Sequence, residues 1–224
     1  MAILEMKPSP RCVLWPSAWR LIALTTANQS LNRWLASSAS PDMRHWRTVK
    51  ARQLLEAGDW AGVEQAVSGL VTQFKGLPAA PAVEAIGLLA DAQLAQKNLD
   101  AARGTYQMLG AAYQGTAYAE KSSVGLARLA LAEGGNAKLL EAAKRLEPIL
   151  AASATTLLPD PARQRVFADA WFAQGQLLEA REDKAGALEA YCRVTALYPL
   201  NPALVSQAAA RVKSLRSDAT VFVK

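Results

Sequence analysis

The side chains that most often carry covalent or metal chemistry are scarce in this chain: Cys12, Cys192 and His45 are its only cysteines and histidine. A thiolate nucleophile needs a base beside it, and a zinc site needs three or four soft ligands at about 2 Å from one ion. Two cysteines 180 positions apart and one histidine have neither a metal-ligand spacing nor a disulfide framework. Cys192 reads as a small buried hydrophobe, and His45, just before Trp46, as a capping or surface residue. Glu141 and Glu147 share a helical stretch with Lys144 and Arg145, where pairing three or four residues apart accounts for them. Glu182-Asp183 occupies a turn, and Gly134-Gly135 separates two helical patterns rather than following a strand, as a phosphate-cradling loop would. These residues predict no enzyme, no cofactor and no metal.

The elements that would position any site are helical. The 224 residues are 51% hydrophobic and 20% charged, enough apolar content for a packed core and far from a disordered composition. Alanine, leucine, glutamine and charged residues dominate long stretches, and alternating runs of Val, Ile, Thr and Tyr are nearly absent. An all-α fold is the expectation. No apolar run reaches the roughly 18 residues of a spanning helix, because Arg20, Asn28 and Gln29 interrupt the best candidate.

The formal charge of +6 is unevenly placed. Residues 1–52 hold eight basic residues against Glu5 and Asp42, while the remainder has 17 of each sign. A nucleic-acid-binding helical protein using this basic N-terminal end is therefore the alternative function, but no continuous basic stripe extends beyond it. Residues 1–41 also hold Trp15, Trp19 and Trp34, a serine cluster and a break at Pro41. Three readings stay open for this segment: a targeting or export-like leader, an interfacial amphipathic helix that would be the only route to membrane contact, or a capping helix. The first would place the protein in a bacterial cell envelope or periplasm, and the others leave it cytoplasmic.

From Asp42 onward a spacing recurs. Trp171, Gly175, Leu178, Ala187, Tyr191, Val194 and Pro199 form its best copy, with a turn at Glu182 to Lys184. Weaker copies run from Arg47 to Leu70, from Ile86 to Leu109 and from Leu126 to Ile149, with turns at Gly58-Asp59-Trp60, Lys97 to Leu99 and Gly134-Gly135-Asn136. Gly175 and Ala187 leave room that Trp171, Leu178 and Tyr191 fill. The units begin near 44, 83, 123 and 168, and Asp160-Pro161 and Asn201-Pro202 look like helix starts with an N-cap and a first-turn proline. This pattern resembles the tetratricopeptide repeat, in the degenerate form of bacterial envelope and assembly proteins. The resemblance implies a right-handed α-solenoid of about four helix–turn–helix units over 42–216, a C-terminal capping helix, and a tail at 217–224.

The same resemblance implies that the first helix of each unit lines a concave groove. Its groove positions map onto His45, Thr48, Arg52 and Leu55, then Glu84, Gly87, Asp91 and Leu94. The third set is Val124, Ala127, Leu131 and Gly134, and the fourth Asp169, Phe172, Gln176 and Glu179. Positions matching the lysine- and asparagine-rich clamp of chaperone-binding members lack those residues. The expected function is a scaffold that holds a protein or peptide partner in this groove or forms a homo-oligomer. Partner contact would fall to His45, Arg52, Leu55, Asp91, Leu94, Phe172, Gln176 and Glu179.

Overall fold

A computed structural model describes residues 42–73, 80–156 and 159–220. By its contacts the chain divides into Met1–Met43 and Arg44–Lys224, and the architecture is that of the second unit. The three readings of residues 1–41 lie outside the described residues. Those that are described form helices joined by turns, with no strand among them. The helices are α1 (Asp42–Glu56), α2 (Trp60–Gln73), α3 (Ala80–Ala95), α4 (Leu99–Ala112), α5 (Ala117–Glu133), α6 (Asn136–Thr155), α7 (Pro161–Ala180), α8 (Lys184–Leu197) and α9 (Pro202–Thr220).

Three of the turns share one hydrogen-bond pattern. Gly58 N–H donates to Leu55 O and Asp59 N–H to Leu54 O, and the same pairs recur as Lys97 to Leu94 with Asn98 to Gln93, and Glu182 to Glu179 with Asp183 to Leu178. Such closure needs one left-handed residue after the helix, and the φ angles of 77° at Gly58, 63° at Lys97 and 64° at Glu182 supply it. Asp59 and Asp183 then start the next helix, each accepting at 2.9 Å from the backbone N–H three residues on. Asp160 Oδ1 accepts from Ala162 and Arg163 N–H at 2.9 and 3.0 Å, and Asn201 Oδ1 from Leu204 N–H at 3.1 Å. Both predicted cap-and-proline starts are therefore in place.

From α2 to α9 each helix packs on its successor, and α3, α5, α7 and α9 also pack on one another in turn. Ala51 of α1 joins Val63 and Val67 of α2 and Leu88 and Leu89 of α3 in one apolar cluster. The core continues as a chain of clusters. In the middle, Tyr106 of α4 packs with Ala90 and Leu129; toward the C-terminus, Phe167, Leu146 and Leu177 pack together, then Phe172, Tyr191 and Ala208. Two aromatic rings rest on bare α-carbons, Tyr106 on Gly125 and Tyr191 on Gly175. A Cβ at Gly175 would meet Tyr191 Cε1 at 2.5 Å, so the room left by this glycine is taken by the ring.

Two boundaries differ from the sequence expectation. Helix α5 starts six residues before position 123, whereas α7 starts seven residues before 168 at Pro161, as the Asp160-Pro161 signal implies. Helix α9 continues through Thr220, past Ser217 where the tail was placed. Ser217 is held in it by its hydroxyl, which donates to Lys213 O at 2.7 Å.

Candidate functional site

A cavity of about 250 Å³ opens in the second unit, and its lining comes from α1, α3, α5, α7 and α9 together with Trp60 at the start of α2 and the α8–α9 loop. Leu55, Trp60 and Leu88 supply apolar surface from the first three helices, and Leu200, Ala203 and Leu204 supply it from the C-terminal end. Charges supply the rest: Arg52, Lys121, Arg128 and Arg165 against Glu56, Glu84, Asp91 and Asp169.

Asp91 is the centre of this charge. Its Oδ2 receives Lys121 Nζ at 2.6 Å, and its Oδ1 receives the Tyr106 hydroxyl at 2.6 Å and Arg128 Nη1 at 3.4 Å. Lys121 can arrive from α5 because Gly87, one turn before Asp91, presents no Cβ; a side chain there would strike Lys121 Cε at 2.7 Å. Burial alone would push the Asp91 carboxyl up, but Lys121, Arg128 and the two short hydrogen bonds hold it below the usual carboxylate range. The same contacts hold the Lys121 ammonium above its ordinary value despite burial, through Asp91 and then Asp169. Burial raises the Tyr106 phenol well above its usual range, and the neighbouring carboxylate adds to that.

Asp169 of α7 sits in the same cavity with the opposite shift. Burial raises its carboxyl, Lys121 and Arg128 pull it back, and Asp91 pushes it up again, leaving it above the ordinary value. Opposed shifts on two carboxyls are a pattern that acid–base catalysis uses. Here, however, both oxygens of Asp91 are committed to side chains of α4 and α5, so its observed contacts are those of a tie between helices. Arg52 of α1 is paired with Glu84 of α3, and Arg163 of α7 with Glu120 of α5 at 3.0 Å. Consecutive odd-numbered helices are thus cross-linked by charge.

Of the residues mapped to a groove, Arg52, Leu55 and Asp91 line the cavity, as do Glu84 and Asp169. Leu94 does not: it packs against the Ala90–Tyr106–Leu129 cluster. Phe172 is 9% exposed and lies 5.3 Å from the Tyr191 ring, beneath α9. Gln176 is half-buried outside the lining, and Glu179 faces α9, where its Oε2 lies 3.8 Å from Arg211 Nη1. Val124 and Ala127 are buried in the core. The side chain of His45 lies outside the described residues.

Sequence reasoning missed Lys121, Arg128, Arg165, Tyr118, Trp60 and the C-terminal leucines. On α5 the cavity takes Ala117, Tyr118, Lys121 and Arg128, whereas the mapped Val124 and Ala127 turn into the core. On α7 it takes Arg165 as well as the mapped Asp169, while Phe172 and Glu179 lie further along against α9. One signal was present: Lys121 and Arg128, the only two cations of α5, are seven residues apart, two turns along one face. Among the described residues no cluster of His, Cys, Asp and Glu could hold a metal ion, and no helix is long and apolar enough to cross a membrane. Comparison with family models, with curated proteins and with solved structures gives no match for this chain.

Proposed function

We propose that α1 to α8 form four tetratricopeptide-like pairs of a right-handed α-solenoid closed by α9, and that the chain is a scaffold holding a protein or peptide partner in the concave groove. The observation that carries this reading is the origin of the cavity lining: it comes mainly from the first helix of every pair and from the closing helix, with few residues from the second helices. That is the face a stacked array of helix pairs turns inward. The lining suits an extended peptide, with apolar contacts at two ends and charges between them to set register. A nucleic acid is the less supported occupant, because the four basic residues lining the cavity are matched by four acidic ones, and phosphate binding draws on uncompensated cations.

Site-specific photo-crosslinking tests the reading. A photoreactive residue at Leu55, which lines the cavity, is expected to capture a discrete protein partner, or a second copy of the chain if the groove self-associates. The same probe at Glu189, exposed on α8 and outside the lining, is expected to capture neither. Equal labelling from both positions would remove the groove from the account.

A further inference from the structure

Three of the four cations lining the cavity have carboxylate partners: Arg52 has Glu84, and Lys121 and Arg128 share Asp91. Arg165, among the described residues, forms no ion pair or hydrogen bond. It faces the same space as Arg52, and the two feel each other: burial lowers the Arg52 proton affinity, and the charge of Arg165 lowers it further. Tyr118 lies within the field of both guanidinium groups, and its hydroxyl, half-buried, makes no hydrogen bond among the described residues. A guanidinium that makes no ion pair, although the Asp169 carboxylate one turn along α7 feels its charge, a second guanidinium within its field and a phenol donor therefore line one cavity. Like charges brought together in a partly desolvated site are a cost to the empty molecule, relieved when an anion enters between them.

The chemistry of that anion follows from the count. The lining as a whole is balanced, its four cations facing Glu56, Glu84, Asp91 and Asp169. Among the described residues Arg165 is its one cation without an ion pair, and a single unpaired guanidinium suits a monoanion better than a phosphate dianion. A planar carboxylate also matches the donor fork of an arginine. Apolar surface from Leu55 and Trp60 lies on the Arg52 side of the cavity, ready for a flanking aliphatic side chain.

We propose that Arg165, Arg52 and Tyr118 form a carboxylate subsite that holds an acidic group of the partner's extended peptide across the groove, from the first helix pair to the fourth. This rests on the groove reading, and it adds what the occupant must carry.

The test pans the full chain against two bead-bound random pentapeptide libraries, one with amidated C-termini and one with free C-terminal carboxylates, beside the folded variants Arg165→Met and Arg165→Lys. Enrichment of Asp or Glu in the amidated library, lost with Arg165→Met and partly kept with Arg165→Lys, is the expected result. Replacing the arginine by methionine should weaken the selected peptide about tenfold to a hundredfold, the range of one hydrogen-bonded charge. Arg165-dependent enrichment confined to the free-carboxylate library would support the subsite and assign its anion to a chain terminus. Enriched peptides with no acid preference, or an acid preference that survives Arg165→Met, would overturn the subsite while leaving the groove reading intact. No enrichment over blank beads would overturn the subsite and count against the groove as well.

Discussion

Tyr106 on α4 lies over Gly125, and Tyr191 on α8 lies over Gly175; both rings are fully buried at corresponding positions of two helix pairs. Their hydroxyls differ. Tyr106 donates to Asp91 at 2.6 Å and so belongs to the charged lining of the groove. The Tyr191 hydroxyl and the Glu179 carboxylate, beneath α9, are neighbours, but the hydroxyl and Glu179 Oε1 are buried without forming a hydrogen bond of ordinary geometry. Burial, with the Glu179 charge beside it, drives the Tyr191 phenol far above its usual range. The difference teaches that the recurring spacing buries the ring in both places, whereas the fate of its polar end depends on the carboxylate that the preceding helix offers: Asp91 of α3, itself tied to Lys121 and Arg128, or Glu179 of α7, whose Oε1 makes no hydrogen bond. The Tyr106 hydroxyl is recruited to a carboxylate of the charged cavity lining, and the Tyr191 hydroxyl is left beside Glu179 without a formed hydrogen bond.

The largest test of this contrast is Asp91→Asn. Removing the carboxylate leaves Lys121 buried without its counter-charge, so a loss of about 3 kcal/mol in urea unfolding is expected, against little change for a Glu179→Gln variant. The Asp91 contribution is present above the ordinary carboxylate pKa of the unfolded chain and disappears as pH falls through the lowered folded value. The stabilities of wild type and Asp91→Asn should accordingly converge in acid; a constant difference down to strongly acid pH would assign the loss to packing instead.

Next in size are the two glycines. Alanine would add about 1 kcal/mol of helix propensity, but overlap with an aromatic ring outweighs it at both sites. Gly125→Ala and Gly175→Ala should each lower stability by about 1–2 kcal/mol net, read as a fall in melting temperature. An unchanged melting temperature for either would show that its ring can move aside, and unequal losses would separate a contact with the following helix, Tyr106 on Gly125, from one with the preceding helix, Tyr191 on Gly175.

The hydroxyls are compared directly by Tyr106→Phe and Tyr191→Phe. The first loses a hydrogen bond to an ionised carboxylate and should cost about 1.5 kcal/mol. The second removes a buried group without a partner and should fall within about 0.5 kcal/mol of wild type, on either side. Similar losses in calorimetry would mean that Tyr191 is paired in solution as Tyr106 is.

The smallest effects belong to the turns. Lys97→Gly and Glu182→Gly relieve a left-handed conformation that side chains resist, and each should stabilise by roughly 0.5 kcal/mol. A loss at either position would mean that its side chain contributes more than its backbone strain costs.

All four turns within helix pairs were legible in the sequence, because each is marked by glycine or by short polar residues between apolar-periodic stretches. The proline starts at 161 and 202 were legible for the same local reason. The groove was less so. Arg52, Leu55 and Asp91 were found, but Leu94 and Phe172 were assigned outward when neighbouring helices cover them. Which face of a helix is covered depends on what crosses it, and the sequence does not mark that face: Arg128 lines the cavity while Ala127 beside it is buried, and Asp169 lines it while Phe172, three residues on, is covered by α9. Lys121 and Arg165 were missed for this reason, although both are plain in the sequence as charges.

The uneven distribution of polar ties sets the order in which the molecule comes apart. Asp91 binds α3, α4 and α5 through Lys121, Tyr106 and Arg128, and Arg163 carries the stitching on to α7. Helix α9 has only Ala208 fully buried among its described residues, and its ion pair to the preceding helices, Arg211 to Glu179, is a long contact at 3.8 Å. In hydrogen exchange under rising denaturant, α9 is expected to lose amide protection before the stitched α3 to α7 block, and simultaneous loss across all helices would count against this order. Phe172 and Tyr191, covered by α9 in the closed molecule, are then the first aromatic surface that partial unfolding exposes.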